Sequence, residues 1–291
     1  MGATVAITGA GGQLGRCLSL TAPGGVEVRE LRRGDLDVAD PEAVAAHPAF
    51  RGVDAVINAA AATDVDGQED EPDRAEALNA AAPGHLARRA AEEGALLVHV
   101  STDYVFGNRG AAGGPIGSHE APDPASVYGR TKLAGERAVH EADPRHAVVR
   151  TSWLYSGDVL PGHKDFVSTM LRLARAGEGA RVVADQVGTP TFAVDLARAL
   201  WRLALGERPE PAPGRGLVLH AAGSGETSWH GLAREVFAAA GADPGLVEPV
   251  ATGQWPTRAA RPAYSALRSD LKLPEWRSGV RRAAAGSLDP R

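Results

Sequence analysis

Tyr128 and Lys132 stand four residues apart in Tyr128-Gly129-Arg130-Thr131-Lys132. On a helix that spacing puts a phenol and an ammonium on one face, about 5–6 Å apart between their Cβ atoms. A free tyrosine, with a pKa of about 10, is a poor acid–base group at neutral pH. A neighbouring positive charge stabilises the phenolate and turns the phenol into a usable proton donor. The natural acceptor is a carbonyl oxygen. The pair alone decides little, because most Tyr-x-x-x-Lys spacings are ordinary helix surface.

A second group of residues adds a reductant. Gly9-Ala10-Gly11-Gly12-Gln13-Leu14-Gly15 reads Gly9-x-x-Gly12-x-x-Gly15. It lies between a first strand and a first helix. Glycines there allow a tight turn and a close approach of backbone to a pyrophosphate, which then faces the helix N-terminus. In a chain with 35 glycines, the triplet could also be a merely structural turn. Its place inside a βαβ unit at the very start favours dinucleotide binding. An NAD-preferring site carries an acidic residue at the end of the second strand. This chain has Arg32-Arg33 there, two guanidinium groups suited to a 2′-phosphate. NADPH is therefore expected over NADH; the alternative is a solvated basic turn. Asp37-Val38 would flank the adenine. Asn58-Ala59-Ala60-Ala61 ends the third strand, where small residues leave room for the cofactor. With an oxidised nicotinamide ring beside it, Tyr128 gains a second positive neighbour. Thr102 follows the fourth strand and could polarise a substrate carbonyl; otherwise it is a cap or turn residue.

These residues need a frame, and the pattern supplies one. Strands are predicted over Ala3–Thr8, Val26–Leu31, Val53–Ala59, Ala95–Ser101 and His146–Thr151. Helices are predicted over Gln13–Leu20, Pro41–His47, Ala75–Glu93 and Val127–Glu141. Such repetition with short links means right-handed parallel crossovers, hence an α/β, Rossmann-like, doubly wound parallel sheet. Beyond Trp153 the pattern loosens. Val167–Ala176, Val194–Leu205 and Trp229–Ala240 read as helices, Arg181–Ala184 and Leu217–Ala221 as strands, and 207–216 as a Pro- and Gly-rich surface loop. Residues 1–155 are read as the dinucleotide-binding core, with returning segments at about 182–225. Residues 156–181 and 226–291 are read as a smaller C-terminal substrate-binding cap.

Composition excludes several classes. The 291 residues hold 36 acidic and 31 basic side chains, a formal charge of −5, which speaks against a nucleic-acid backbone binder. One cysteine, Cys17, cannot form an internal disulfide. No stretch reaches the roughly 18 apolar residues of a membrane helix, and no cationic leader is visible. A cytoplasmic protein without membrane or nucleic-acid partners is expected.

Together these residues resemble the extended short-chain dehydrogenase/reductase superfamily and, within it, the dTDP-4-dehydrorhamnose reductases. The likeness spans nearly the whole chain. It includes Gly12 to Gly15, Asn58 to Ala61, Thr63, Val65-Asp66, Ser101 to Phe106, Tyr128 to Glu136, Arg150 to Trp153, Asp185-Gln186-x-Gly188-x-Pro190-Thr191 and Arg261-Pro262-x-x-Ser265-x-Leu267. The resemblance implies NADPH-dependent reduction of a dTDP-4-keto-6-deoxysugar, with Thr102, Tyr128 and Lys132 as the catalytic triad. Lys132 would hold the cofactor ribose and lower the Tyr128 pKa. Cofactor residues would be Gly9, Gly12 to Gly15, Arg32, Arg33, Asp37, Val38 and Ala60 to Thr63. Asp103 and Trp153 would hold the sugar, with Val65 and Thr102 beside them. On its own, Trp153 reads as a core residue. The superfamily's sugar 4,6-dehydratases carry a Glu after their Thr-Asp; here Tyr104 follows, which argues for simple reduction. Three departures from the family stand out. Ala62 replaces a frequent His, and Lys164-Asp165-Phe166 replaces an Asn-Asn-Phe. Cys17 occupies the position of a Glu that in some members helps bind an interfacial magnesium, so neither that metal nor that dimer is carried over.

Overall fold

The computed structural model describes residues 2–107, 113–207, 209 and 216–289. Most of the expected 207–216 loop lies outside the described residues. Six strands form one parallel sheet: β1 (Thr4–Thr8), β2 (Glu27–Leu31), β3 (Ala55–Asn58), β4 (Leu96–Thr102), β5 (Ala147–Thr151) and β10 (Leu217–His220). Their order is β10-β5-β4-β3-β1-β2. From β1 the chain runs first outward to β2 and then back across to β3. That reversal opens a crevice at the carboxyl ends of β1 and β3, where ligands of such sheets bind.

The strands are apolar on both sides, as a sheet covered on both faces requires. Val5, Ile7, Ala55, Ile57, Val98 and Val149 face one core; Ala6, Val56, Leu97 and Val148 face the other. The first face is covered by α1 (Gln13–Leu20) and α8 (Ala193–Ala204), joined by a hydrogen bond from Trp201 Nε1 to the Leu18 carbonyl (3.0 Å). The second is covered by α2 (Pro41–Ala46), α5 (Ala82–Glu92) and α6 (Val127–Ala142).

The single helix expected over Ala75–Glu93 is broken. It consists of α4 (Pro72–Glu76), a π turn (Ala77–Ala81) and α5, preceded by the short α3 (Gly67–Asp70). Pro83 is the cause: it has no N–H for the Asn79 carbonyl. That carbonyl instead sits against Gly135 of α6, where any Cβ would come within 2.1 Å.

Beyond the sheet, α7 (Phe166–Ala176), α9 (Trp229–Ala239) and α10 (Trp276–Ala284) pack with three two-stranded pairs. These are β6 (Leu154–Tyr155) with β9 (Thr191–Phe192), β7 (Ala180–Val183) with β12 (Val247–Val250), and β8 (Val187–Gly188) with β11 (Thr227–Ser228). Two buried ion pairs tie these parts together. Arg150 of β5 forks onto Glu136 of α6 (2.6 and 2.9 Å), which also accepts from Ser101 (2.6 Å). Arg282 of α10 forks onto Asp195 of α8.

Candidate active site

The glycine turn is built for close contact. Gly9 has φ +72°, and a Cβ there would meet the Ala60 nitrogen at 2.6 Å. At Gly15 a Cβ would meet the Gly9 carbonyl at 2.3 Å, so helix and turn touch through bare backbone. Gly12 is the N-cap of α1, with extended backbone and no capping side chain among the described residues. The first-turn N–H groups of α1, with the positive end of its dipole, are thus left for an anion. Arg32 and Arg33 stand exposed across the turn, and Arg32 meets Glu30 at 3.0 Å.

A cleft of about 840 Å³ runs along this edge. Its walls include Gly9, Gly12, Arg32, Arg33, Asp37, Val38, Ala60 and Ala61. A smaller hollow of about 370 Å³ continues from it, lined by Ala62, Thr63 and again by Arg33. Arg74 borders both and was not foreseen, because nothing in its local pattern marks α4 as a cleft wall. Five expected cofactor residues are placed away from the cleft walls: Gln13, Leu14, Gly15, Tyr128 and Lys132. Leu14 is packed in the core, and Gly15 is buried beneath the turn. The Gln13 amide donates to Asp165 (2.8 Å) and Ser156 (3.1 Å), fastening the turn to the N-cap of α7.

Thr102 ends β4, and Tyr128 and Lys132 lie in the first turns of α6. Ser126 caps α6 by accepting from Gly129 N (3.1 Å), which starts the helix one turn before Lys132. Burial pushes the Tyr128 phenol above its usual range, and a hydrogen bond with the Thr102 side chain partly holds it back. The Tyr104 ring sits edge-on to Tyr128 at 5.4 Å. Lys132 is not among the groups that act on the Tyr128 phenol in this arrangement. Lys132 is buried and donates to the Val100 carbonyl (2.7 Å), with its nitrogen 3.3 Å from His99 Nε2. The charges acting on Tyr128 are those of Asp103 and Tyr104, and both raise it. Burial also lowers Lys132 to about 8, against the opposing pull of Glu136.

Asp103 is fixed from two sides. It accepts from Ser265 (2.6 Å) and Thr102 (3.1 Å), yet its burial carries the carboxyl up to about 7. Trp153 has φ +45°, an unusual conformation for a bulky residue. It lies flat on Trp229 at 3.7 Å and against Gly188, where a Cβ would meet the indole at 2.5 Å. Phe166 tilts onto Trp229 (4.8 Å), so the residue after Lys164-Asp165 joins this aromatic group. Val65 is half-buried on the loop before α3. Its neighbour Asp66 accepts from Arg261 (2.7 Å), which also donates to the Tyr104 hydroxyl (2.9 Å). Cys17 is enclosed in the core, and burial carries its thiol up to about 12.

The family described as the RmlD substrate binding domain matches residues 3–287. A dTDP-4-dehydrorhamnose reductase of Mycobacterium tuberculosis is 47% identical, over 96% of this chain and 91% of its own. The chain belongs to the dTDP-4-dehydrorhamnose reductase family. Its relatives within that likeness vary in name. A protein of Streptomyces antibioticus named "Probable dTDP-4,6-dihydroxy-2-methyloxan-3-one 4-ketoreductase" is 41% identical over 95% of this chain and 93% of its own. Among solved structures, the dTDP-4-dehydrorhamnose reductase of Bacillus anthracis in complex with NADP superposes with a TM-score of 0.88. It is 33% identical and covers 99% of this chain and 100% of that one.

Proposed function

We propose that this member of the family reduces the C4 ketone of dTDP-4-dehydro-L-rhamnose to dTDP-L-rhamnose with NADPH. The observation that carries the reading is the meeting of Tyr128 and Thr102 at the carboxyl end of β4, at the sheet edge that also bears the glycine-turn cleft. The residues of the cleft fit a dinucleotide: an uncapped helix N-terminus, bare backbone at Gly9 and Gly12, and Arg32 and Arg33 at the ribose end. When bound there, the cofactor supplies hydride.

The remaining work falls to the chain. Thr102 and Tyr128 hold the carbonyl oxygen, and Tyr128 gives it the proton. A phenol held protonated by burial is in the correct state to donate. Lys132 orients the ribose and stands one helical turn behind the phenol. Asp103 holds a sugar hydroxyl, and Trp153 offers an apolar surface to the ring. Val65 and the Lys164-Asp165-Phe166 segment close the sugar side. We read residues 1–155 with about 182–225 as the cofactor part, and the rest as the substrate cap.

A second reading is a 4-ketoreductase for a related dTDP-linked ketosugar. It is favoured by Ala62 and by Lys164-Asp165, which depart from the family pattern on the sugar side. One assay separates the two: consumption of NADPH and NADH on each ketosugar, with the product identified. dTDP-L-rhamnose formed with NADPH preferred supports the first reading. Turnover confined to another ketosugar supports the second.

A further inference from the structure

A polar row crosses the sheet beneath the active site. Thr8 of β1, Asn58 of β3 and His99 of β4 are direct cross-strand neighbours and are all fully buried or nearly so. By the alternation of each strand they point to the α6 side, where Lys132 completes the row. Nothing in the proposed reduction uses His99.

The hydrogen bonds fix the tautomer of the imidazole in this row. Asn58 Oδ1 accepts from the Ala60 backbone N–H (3.0 Å) and from the Thr8 hydroxyl (2.8 Å). A backbone N–H can only donate, so the amide cannot be turned the other way. Its Nδ2 then faces His99 Nδ1 at 3.0 Å. An amide nitrogen only donates, so Nδ1 is the bare nitrogen of the ring. A neutral imidazole carries its one proton on the other nitrogen, Nε2. Nε2 lies 3.3 Å from Lys132 Nζ. An ammonium has no lone pair to accept that proton; an amine has one. The amine can also donate to the Val100 carbonyl, where Nζ sits at 2.7 Å.

We propose that His99 is a positioning residue, locked by Thr8 and Asn58 with its proton on Nε2, and that this donor, set against Lys132, weakens the lysine's hold on its proton. The surrounding charges agree. Glu136, one turn further along α6, is engaged by Arg150 and Ser101 and makes no direct bond with Lys132 among those described. Burial, with the charges of Lys132 and His140, holds His99 well below its usual range, so the ring stays neutral. Tyr128, on the same helix, is protonated. An ammonium whose pKa lies near the working pH gives its proton to a neighbouring phenolate more readily than an ordinary lysine, at about 10.4. The consequence for turnover rests on the reductase reading above, but the protonation states do not.

The test reads protonation directly. The chain holds only three lysines, Lys132, Lys164 and Lys272, and the last two are exposed, so a titration of 13C-labelled lysine resolves Lys132. A two-bond 1H–15N spectrum gives the tautomer of His99. The wild-type protein is expected to show the Nε2–H form and a Lys132 midpoint near 8. Asn58→Asp keeps the shape but offers an acceptor to Nδ1. The proton then moves to Nδ1, bare Nε2 accepts from the ammonium, and the Lys132 midpoint rises by roughly one pH unit or more. In Asn58→Asp with His99→Phe, only the added charge remains and the rise shrinks. If turnover follows the ammonium form, the alkaline fall of kcat/KM moves upward with the midpoint in Asn58→Asp. A wild-type His99 protonated on Nδ1 or on both nitrogens overturns the proposal, as does a Lys132 midpoint unmoved in Asn58→Asp. Failure to reduce any ketosugar, with these spectra as expected, overturns the reductase reading and leaves the row intact.

Discussion

Asp103 is a carboxylate in an environment that disfavours its charge. Its carboxyl is raised to about 7, against about 3.9 in an unfolded chain. The folded state therefore favours the neutral acid. The stability this gives is complete below about pH 4 and is lost as pH rises toward 7, when the buried group must ionise. Asp103→Asn is expected to flatten that loss, seen as a smaller fall in Tm between pH 5 and pH 8 than in the wild type. An equal fall in both proteins would show that Asp103 is ionised at little cost. The positions of Thr102, Tyr128 and Lys132 were legible because a strand end and helical spacing coincide there. The direction of the Lys132 side chain was not. It depends on His99 and on the Val100 carbonyl, which are more than 30 residues away and meet it only through the sheet. A histidine inside an apolar strand reads as a core residue until its neighbours on β3 are known.

At the scale of elements, the glycine turn shows how backbone shape serves the site. Gly9 and Gly94 both have φ near +70°, but a Cβ on Gly9 strikes the backbone of Ala59 and Ala60, whereas one on Gly94 meets nothing within 4 Å. Gly94→Ala therefore carries only the cost of the left-handed backbone, about 1–2 kcal/mol. Gly9→Ala must also move the turn. It is expected to lose several-fold more stability in urea denaturation and to weaken NADPH binding, which Gly94→Ala leaves unchanged. Equal effects would mean that the turn has slack. The βαβ elements of the first half were readable to within a residue or two, since each alternates a short apolar run with an Ala-rich helical stretch. The break at Ala77–Ala81 was not, because it needs both Pro83 and the close approach of Gly135 from another helix. The two-residue strands β6, β8, β9 and β11 carry no periodicity at all.

Across the whole molecule, segments far apart in sequence are pinned together by buried polar contacts. Arg282 and Asp195 are nearly inaccessible and 87 residues apart, linking α10 to α8. Breaking such a pair on one side leaves an uncompensated buried charge, at about 3–5 kcal/mol. Arg282→Met should show that loss by denaturant unfolding, and Arg282→Met with Asp195→Leu should regain most of it. A double variant as unstable as the single would mean the fork sets the geometry of this corner rather than only neutralising it. Such links were invisible in the sequence, as was the packing of Trp229 and Phe166 on Trp153, because each joins segments with no shared pattern. The glycine-turn cleft, by contrast, is lined by residues of the first 80 positions, and most of its walls were legible there.

The reduction hinges on one proton, and the most direct measurement compares Tyr128→Phe with the wild type for turnover and NADPH binding on the same preparations. Positioned proton transfer is worth about 10²–10⁴ in rate. Turnover of the ketosugar is expected to fall by that order in Tyr128→Phe, with the NADPH Kd changed little. Full turnover in Tyr128→Phe would contradict the assignment of Tyr128 as the proton donor.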